Sequence, residues 1–291
     1  TDWSVEIVQK ELIDKFRHGV SEICFGKKNA AWEERIIKGS IKLLGARILR
    51  DREEIKKKWS IGSALELLSE ASNFLPGYFD VPDKIAPLLD PLLERFNSNY
   101  DLSQVSMETL GKFYESAFVS EEVRKKLGIH YTPFKLAKVL LDRMPIEELR
   151  PENRILCDPT CGSGSLLSAG YERLAEAAYK SIPADVRHQK LVSSIFGNDM
   201  DSFASEIARM TLMLFHPPHT NNWKISKLNA EEQDFGNKWI KEIQKRPSII
   251  VANPPFGGIG EQNDEVRRIR NQRDRSAFIL NQCLDILPKE G

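Results

Sequence analysis

The chain has 291 residues and a balanced charge, with 42 Lys and Arg residues against 42 Asp and Glu residues. This balance argues against binding nucleic acid through overall charge, so any basic surface must be local. The four cysteines form no Cys-x-x-Cys pair, which argues against a zinc ribbon or a disulfide scaffold, and no apolar stretch approaches the ~20 residues of a membrane span. We therefore expect a cytoplasmic protein with reduced thiols, no metal and no membrane partner.

Residues 1–127 carry apolar side chains at helical spacing and contain no convincing strand. The clearest pattern follows the i, i+3, i+4, i+7, i+8 rule of an amphipathic helix and consists of Leu110, Phe113, Tyr114, Ala117 and Phe118. Proline-bearing turns near residues 76 and 82 divide this region. We predict an all-helical domain over 1–127.

The segment 128–134 reads Gly-Ile-His-Tyr-Thr-Pro-Phe and predicts the start of a helix. Thr132 is suited to the N-cap and Pro133 to the first helical position. The apolar residues that follow are expected to be buried, and they are Leu136, Val139 and Leu140. A helix N-terminus binds anions readily, although a capped helix with no further role is an alternative.

From residue 128 onward, strands and helices alternate, which predicts a doubly wound α/β sheet over 128–291. The strand candidates are residues 154–157, 193–196, 223–226 and 248–252. Parallel strands in such folds end at the sheet edge where ligands bind. The polar segments that follow these strands are therefore the candidate functional sites.

The first strand is followed by Asp-Pro-Thr-Cys-Gly-Ser-Gly-Ser at residues 158–165. Gly162 and Gly164 permit a tight turn and close backbone approach to a ligand. Asp158 can bind an ammonium group, and the exposed N–H groups can bind a carboxylate or hydroxyls. The segment matches neither the dinucleotide fingerprint nor a Walker phosphate loop, so a phosphate ligand is not favoured.

The second strand is followed by Gly-Asn-Asp-Met-Asp at residues 197–201. Asp199 is placed to accept both hydroxyls of a ribose. Asp201 is suited to the N-cap of the next helix.

The fourth strand runs directly into Asn253-Pro254-Pro255-Phe256. The two prolines end the sheet ladder and fix the backbone. An amide, a Pro carbonyl and a flat ring together suit a planar aromatic amine. The alternative is a strand that is simply terminated by proline.

An arginine-rich run follows this tetrapeptide. Five arginines fall within nine positions, and they are Arg267, Arg268, Arg270, Arg273 and Arg275. One interpretation is a segment that follows DNA phosphates, because the arginine fork donates two hydrogen bonds to one phosphate. The other is a solvated helix neutralised by nearby acidic residues. The sequence leaves both open.

Four segments in this order resemble the N6-adenine DNA methyltransferases, and they lie at residues 110–115, 128–133, 158–164 and 253–256. The chain is most similar to the modification subunits of type I restriction-modification systems and to fused type II relatives. The resemblance implies an S-adenosylmethionine-dependent, Rossmann-like methyltransferase core. We expect this core to be incomplete, because only four of the seven family strands and no target-recognition domain are recognisable.

The resemblance also implies roles for particular residues. S-adenosyl-L-methionine would be bound by His130, Tyr131, Thr132, Asp158, Thr160, Cys161, Gly162, Gly164, Asp199, Met200 and Asn229. The catalytic residues would be Asn253, Pro254, Pro255 and Phe256. Within these sets, Met200 would pack on the cofactor adenine, and Asn229, with Asp234 as an alternative, would meet its amine.

The implied function is adenine-N6 methylation of double-stranded DNA in a restriction-modification or related defence system. The target base would be flipped out of the duplex, and no metal is required. The expected partner is a specificity subunit or a C-terminal target-recognition region. Two alternatives remain: a methyltransferase for RNA or protein glutamine, and an inactive fragment that serves only binding or assembly.

Overall fold

A computed structural model describes residues 2–25, 29–52, 62–97, 101–105, 109–110, 132–214, 222–256 and 274–288. The chain divides into two compact units, one formed by Thr1–Phe118 with Met213–Asn221 and the other by Val119–Leu212 with Asn222–Gly291. The predicted boundary between residues 127 and 128 lies outside the described residues. No helix in the described segments is both long and apolar enough to cross a membrane.

The described part of the first unit is helical. Its α-helices are α1 (Asp2–Cys24), α2 (Ala30–Asp51), α3 (Ala64–Phe74) and α4 (Asp90–Asn97), and 3-10 turns occupy Ala86–Leu89 and Leu102–Gln104. Asn29 caps α2 by accepting from two backbone N–H groups, and Ser63 caps α3. The rings of Phe16 and Phe96 stack between α1 and α4, with centroids 6.1 Å apart.

The second unit contains a parallel sheet of four strands in the order β3-β2-β1-β4. The strands are β1 (Leu156–Asp158), β2 (Ile195–Asn198), β3 (Lys224–Ser226) and β4 (Ile249–Ile250). The helices are α5 (Phe134–Asp142), α6 (Ser165–Ala178), α7 (Ala184–Val192), α8 (Ser202–Met213), α9 (Phe235–Ile243) and α10 (Arg275–Ile286), with 3-10 turns at Ile146–Glu148 and Pro151–Asn153. Leu156 lies opposite both Ile195 and Ile249.

Helices cover both faces of this sheet. Leu156 faces α6, because a Cβ on Gly170 would lie 2.7 Å from a Leu156 methyl. The next residue, Cys157, points the other way, into a core with residues of α9 and α10 that include Trp239 and Cys283. Alternation along β1 therefore places one helical layer on each side, and the predicted α/β fold is confirmed.

All four predicted strands are present, with shifted or shortened bounds. The second begins at Ile195 rather than at residue 193, because Ser193 still belongs to the end of α7 and donates to the Gln189 carbonyl at 3.1 Å. The fourth is reduced to two residues. Periodicity located these strands, while the hydrogen bonds of neighbouring elements set their ends.

The start and the buried face of α5 differ from the prediction. The helix begins at Phe134, Pro133 occupies the cap position, and Thr132 does not act as the N-cap. The residues expected inside are about half exposed, at 51, 50 and 48% for Leu136, Val139 and Leu140. Ala137 and Leu141 are buried instead.

The reason for this orientation is the contact between α5 and α6. Arg173 of α6 donates to the carbonyls of Leu141 and Met144 at 3.2 and 2.9 Å, and it pairs with Glu147. These bonds hold the end of α5, and Ala137 and Leu141, which are four positions apart, lie together on its buried face. The neighbouring apolar stripe therefore faces outward.

Candidate active site

Asp158 ends β1 with a buried carboxylate that lacks a compensating cation among the described residues. Its Oδ1 accepts from the Thr160 N–H at 3.0 Å. Burial raises the pKa of Asp158 to about 8, and the nearby Asp199 carboxylate adds to this rise. Thr160 Oγ1 is also buried and has no hydrogen-bond partner within the described segments. The Asp158 carboxylate and the Thr160 hydroxyl therefore suit a ligand that has a positively charged group and a hydrogen-bonding group.

The loop between β1 and α6 is a tight turn that depends on two glycines. Gly162 and Gly164 have φ angles of +53° and +86°, in the region that favours glycine. A Cβ on Gly164 would lie 3.1 Å from Ala208 of α8, whereas a Cβ on Gly162 would meet nothing within 4 Å. Gly164 therefore allows close packing, and Gly162 leaves open space that a ligand can occupy.

Asp199 follows β2 and fastens this loop. Its Oδ2 accepts from the Gly162 N–H and its Oδ1 from the Asp201 N–H, both at 2.8 Å. Burial raises the pKa of Asp199 to about 6. A carboxylate has about four lone-pair sites, so two acceptor positions remain for hydroxyl groups of a ligand. Asp201 caps α8 as predicted, because its side chain accepts from the Phe203 N–H.

The loop after β3 places Asn229 near the strand tip. Asn229 is half-buried, and its Oδ1 accepts from the Glu231 N–H at 3.0 Å. Asp234, the alternative, is exposed and bonded to Asn237 in the first turn of α9. Asn229 is thus the better placed of the two for contact with a ligand at the sheet edge.

The Asn-Pro-Pro-Phe segment continues beyond β4 beside β1. The Val251 N–H donates to the Cys157 carbonyl at 3.0 Å, which keeps the chain in line with the sheet. Asn253 Nδ2 then donates to Thr132 Oγ1 at 3.1 Å, across 121 positions of sequence. Pro254 is buried, whereas the Phe256 side chain is 50% exposed. The segment therefore combines a held amide with an accessible ring.

Cys161 is buried in the same loop. Burial raises the pKa of its thiol well above the ordinary value, and the Asp199 and Asp158 carboxylates add to the effect. A neutral thiol is a poor nucleophile. The position of Cys161 thus agrees with a small side chain that fills the turn. Within the described residues, no cluster of His, Cys, Asp and Glu could hold a metal ion.

Three hydrogen bonds link the predicted residues. Thr160 donates to Asp158 within the loop after β1, Gly162 of that loop donates to Asp199 after β2, and Asn253 donates to Thr132. Met200 follows Asp199 with 64% of its side chain exposed. Several predicted residues lie outside the described residues, and they are His130, Tyr131, Arg267, Arg268, Arg270 and Arg273.

Arg275 does not fit the interpretation of the arginine run as a row of phosphate contacts. Its Nε donates to Glu231 Oε1 at 2.9 Å, and the two side chains are only 14 and 17% exposed. Arg275 therefore fastens α10 to the loop after β3. The bond between Arg275 and Glu231 could not be predicted from residue spacing, because the two residues are 44 positions apart in the sequence.

Sequence reasoning also missed Asn198. Its side chain is bonded to both the β1 loop and the β3 loop. A signal was present, because an amide within a short buried strand requires hydrogen-bond partners.

The sequence pattern of the N-6 DNA methylase family matches residues 105–283. The chain belongs to this family. The matched range contains every predicted cofactor-binding and catalytic residue.

Two curated proteins with similar sequences are methyltransferases. The type II methyltransferase M.VspI of Vibrio sp. (strain 343) is 26% identical over 65% of this chain and 41% of its own length. The adenine-specific methyltransferase PglX of Streptomyces coelicolor (strain ATCC BAA-471 / A3(2) / M145) is 32% identical over 54% of this chain and 13% of its own length. The chain thus spans less than half the length of both relatives.

A solved structure supports the fold. The type IIL restriction-modification enzyme MmeI, determined in complex with DNA, superposes with a TM-score of 0.64 at 16% identity. The match covers 95% of this chain and 48% of that chain.

Proposed function

We propose that this chain is an S-adenosylmethionine-dependent methyltransferase that acts on N6 of adenine in double-stranded DNA, within a restriction-modification or related defence system. The observation that carries the proposal is the Asn253 amide, held by Thr132 where the chain leaves the parallel sheet. The same edge carries the Asp158 and Asp199 carboxylates at the tips of β1 and β2.

The described residues fit S-adenosylmethionine. Asp158 would pair with the α-ammonium group, which would supply the positive charge that its buried carboxylate lacks. The open space at Gly162 would admit the methionine portion. Asp199 would accept from the ribose hydroxyls, Asn229 would meet the adenine amine, and the exposed Met200 would pack on the adenine ring. When bound, the cofactor supplies a methyl group already activated on its sulfonium, so the protein mainly provides alignment.

The Asn253 segment holds the target base. The exocyclic N6 is a weak nucleophile, since its lone pair is delocalised into the ring. Asn253 Oδ1 and the Pro254 carbonyl would accept from the two N6 protons, and so would favour a pyramidal nitrogen with a more available lone pair. The half-exposed Phe256 ring stacks on the base, a contact worth roughly 1–3 kcal/mol. This offsets part of the cost of flipping the adenine out of the duplex.

DNA binding and sequence choice require surfaces beyond these loops. We infer that Arg267, Arg268, Arg270 and Arg273 contact phosphates, which position the duplex without reading its sequence. A specificity subunit or a C-terminal target-recognition region would read the bases. The relation to M.VspI and PglX supports the methyltransferase activity of the proposal, and the structure of MmeI supports its fold.

Binding of S-adenosylhomocysteine, measured by calorimetry, tests the cofactor half of the proposal. Wild-type protein should bind it, and Asp158→Ala and Asp199→Ala should each weaken binding by about 1–3 kcal/mol as a lost charged hydrogen bond. Binding of the same strength in both variants would refute the site assignment.

A further inference from the structure

Asn198 is the last residue of β2, and its side chain is buried and hydrogen-bonded at the edge of the sheet. It is 1% exposed. Its Nδ2 donates to the carbonyls of Pro159 and Leu228 at 2.9 and 3.0 Å, and its Oδ1 accepts from the Leu228 N–H at 2.8 Å. Both donor hydrogens and the acceptor of the amide are therefore in use.

The backbone of Asn198 extends the same connection, because its carbonyl accepts from the Cys161 N–H at 2.8 Å. Asn198 is thus bonded to Pro159 and Cys161 in the loop after β1. It is also bonded to both the N–H and the carbonyl of Leu228 in the loop after β3. Pro159 directly follows Asp158, and Leu228 directly precedes Asn229.

We propose that Asn198 is a positioning residue that sets the separation of these two loops, and with it the distance between the two ends of the cofactor site. This inference rests on the proposed function. Asp158 would bind the methionine end and Asn229 the adenine end, so a ligand that contacts both requires their spacing to be preset. Asn198 itself need not touch the ligand.

The chemistry of the position selects an amide. An aspartate would place a charged oxygen against the Pro159 and Leu228 carbonyls, which are acceptors. An alanine would leave the Leu228 N–H and two carbonyls without this partner in a buried region, which is costly. Asn198→Ala removes all three bonds, whereas Asn198→Asp keeps only the acceptor for Leu228.

Three variants make the test. Asn198→Ala and Asn198→Asp alter the amide, and Leu191→Ala opens a cavity in α7, which packs on the same strand. For each, we would measure the S-adenosylhomocysteine dissociation constant, the thermal unfolding midpoint, and hydrogen exchange of the peptide that contains Leu228.

Asn198→Ala should speed exchange at Leu228 and weaken S-adenosylhomocysteine binding ~10-fold or more, because the three hydrogen bonds that hold the two loops are lost. Leu191→Ala should lower the unfolding midpoint at least as much, yet bind within about twofold of wild type. The affinity of Asn198→Asp relative to wild type should rise as the pH falls from 8 to 5, since a protonated carboxyl can again donate to a carbonyl. The relative affinity of Asn198→Ala should stay constant over this range.

Two results would overturn the inference while leaving the proposed function intact: Asn198→Ala binding as tightly as wild type, or Leu191→Ala losing as much affinity as Asn198→Ala. A wild-type protein that fails to bind S-adenosylhomocysteine would overturn the proposed function, and the positioning role with it.

Discussion

Asn253 Nδ2 donates a hydrogen bond to Thr132 Oγ1 at 3.1 Å, which ties the segment after β4 to the residues that precede α5. In this arrangement the Nδ2 end of the amide points at Thr132, and Oδ1 points away from it. A base amine needs an acceptor, and Oδ1 is the only acceptor atom of the Asn253 side chain. Under the proposed function, Thr132 would act on the target base by holding the Asn253 amide, in addition to any contact with the cofactor.

Thr132→Val should lower the rate constant for methyl transfer about 5-fold, because loss of one hydrogen bond of roughly 1 kcal/mol loosens the amide. Cofactor affinity should change less than the rate. Thr132→Ser keeps the hydroxyl and is the matched control, with a rate near that of wild type. A Thr132→Val variant with a normal rate and weakened cofactor binding would assign Thr132 to the cofactor alone.

Asn253→Ala should abolish methyl transfer and spare cofactor affinity more than Asp158→Ala does. The two residues lie at different strand tips, and only Asp158 is expected to contact the cofactor. Single-turnover transfer and equilibrium binding, measured on both variants, separate the two effects. If Asn253→Ala weakened cofactor binding as much as Asp158→Ala, the division of roles would be wrong.

Buried carboxylates should make the unliganded protein less stable as the pH rises. The pKa values of Asp158 and Asp199 in the fold are about 8 and about 6, above the ~3.9 of an unfolded aspartate. The native state therefore binds more protons between pH ~4 and ~8, and the free energy of unfolding falls across that window. Asp158→Asn should raise the unfolding midpoint at pH 8 and have little effect near pH 4. An equal effect at both pH values would show that Asp158 does not titrate in this range.

Cofactor binding should release protons near pH 7. An ammonium group placed against Asp158 favours its ionised form and lowers its pKa, so the proton held by the unliganded protein leaves. Calorimetric titrations in two buffers with different ionisation enthalpies measure that release. Asp158→Asn is the control and should lose most of it.

The buried pair between Arg275 and Glu231 should contribute to stability rather than to DNA binding. Arg275→Ala should lower the free energy of unfolding by about 3 kcal/mol, because it leaves the largely buried Glu231 carboxylate without its partner. Lys238→Ala breaks a surface pair with Glu232 and should cost much less. The salt dependence of DNA binding should not change in Arg275→Ala, and a flatter dependence would return Arg275 to the phosphate-contacting set.

Features that depend on local backbone chemistry were predictable from the sequence. The glycines at 162 and 164 both have positive φ, and Asp201 caps α8. The strands lie where apolar and β-branched residues cluster. Such runs are visible in the sequence because a parallel strand is buried on both faces and is therefore hydrophobic along its length. The α/β fold follows from that alternation.

Contacts between distant loops could not be predicted in the same way. Thr132 was expected to cap a helix and instead meets Asn253, since only the fold decides which loops lie side by side. Asn198 and Arg275 likewise find partners 30 or more positions away. The exposed apolar residues of α5 illustrate the same point. Their spacing predicts an apolar helix face, but it does not show which face of the helix packs against a neighbouring element.

The most direct test of the central claim is mass spectrometry of the nucleosides released from double-stranded DNA after incubation with the protein and S-adenosylmethionine labelled in its methyl group. The account predicts label on N6-methyl-2′-deoxyadenosine from DNA with wild-type protein, and none with Asn253→Ala. Label on N4 of cytosine in the DNA would contradict it, as would parallel incubations that label RNA or protein glutamine while DNA adenine is never labelled.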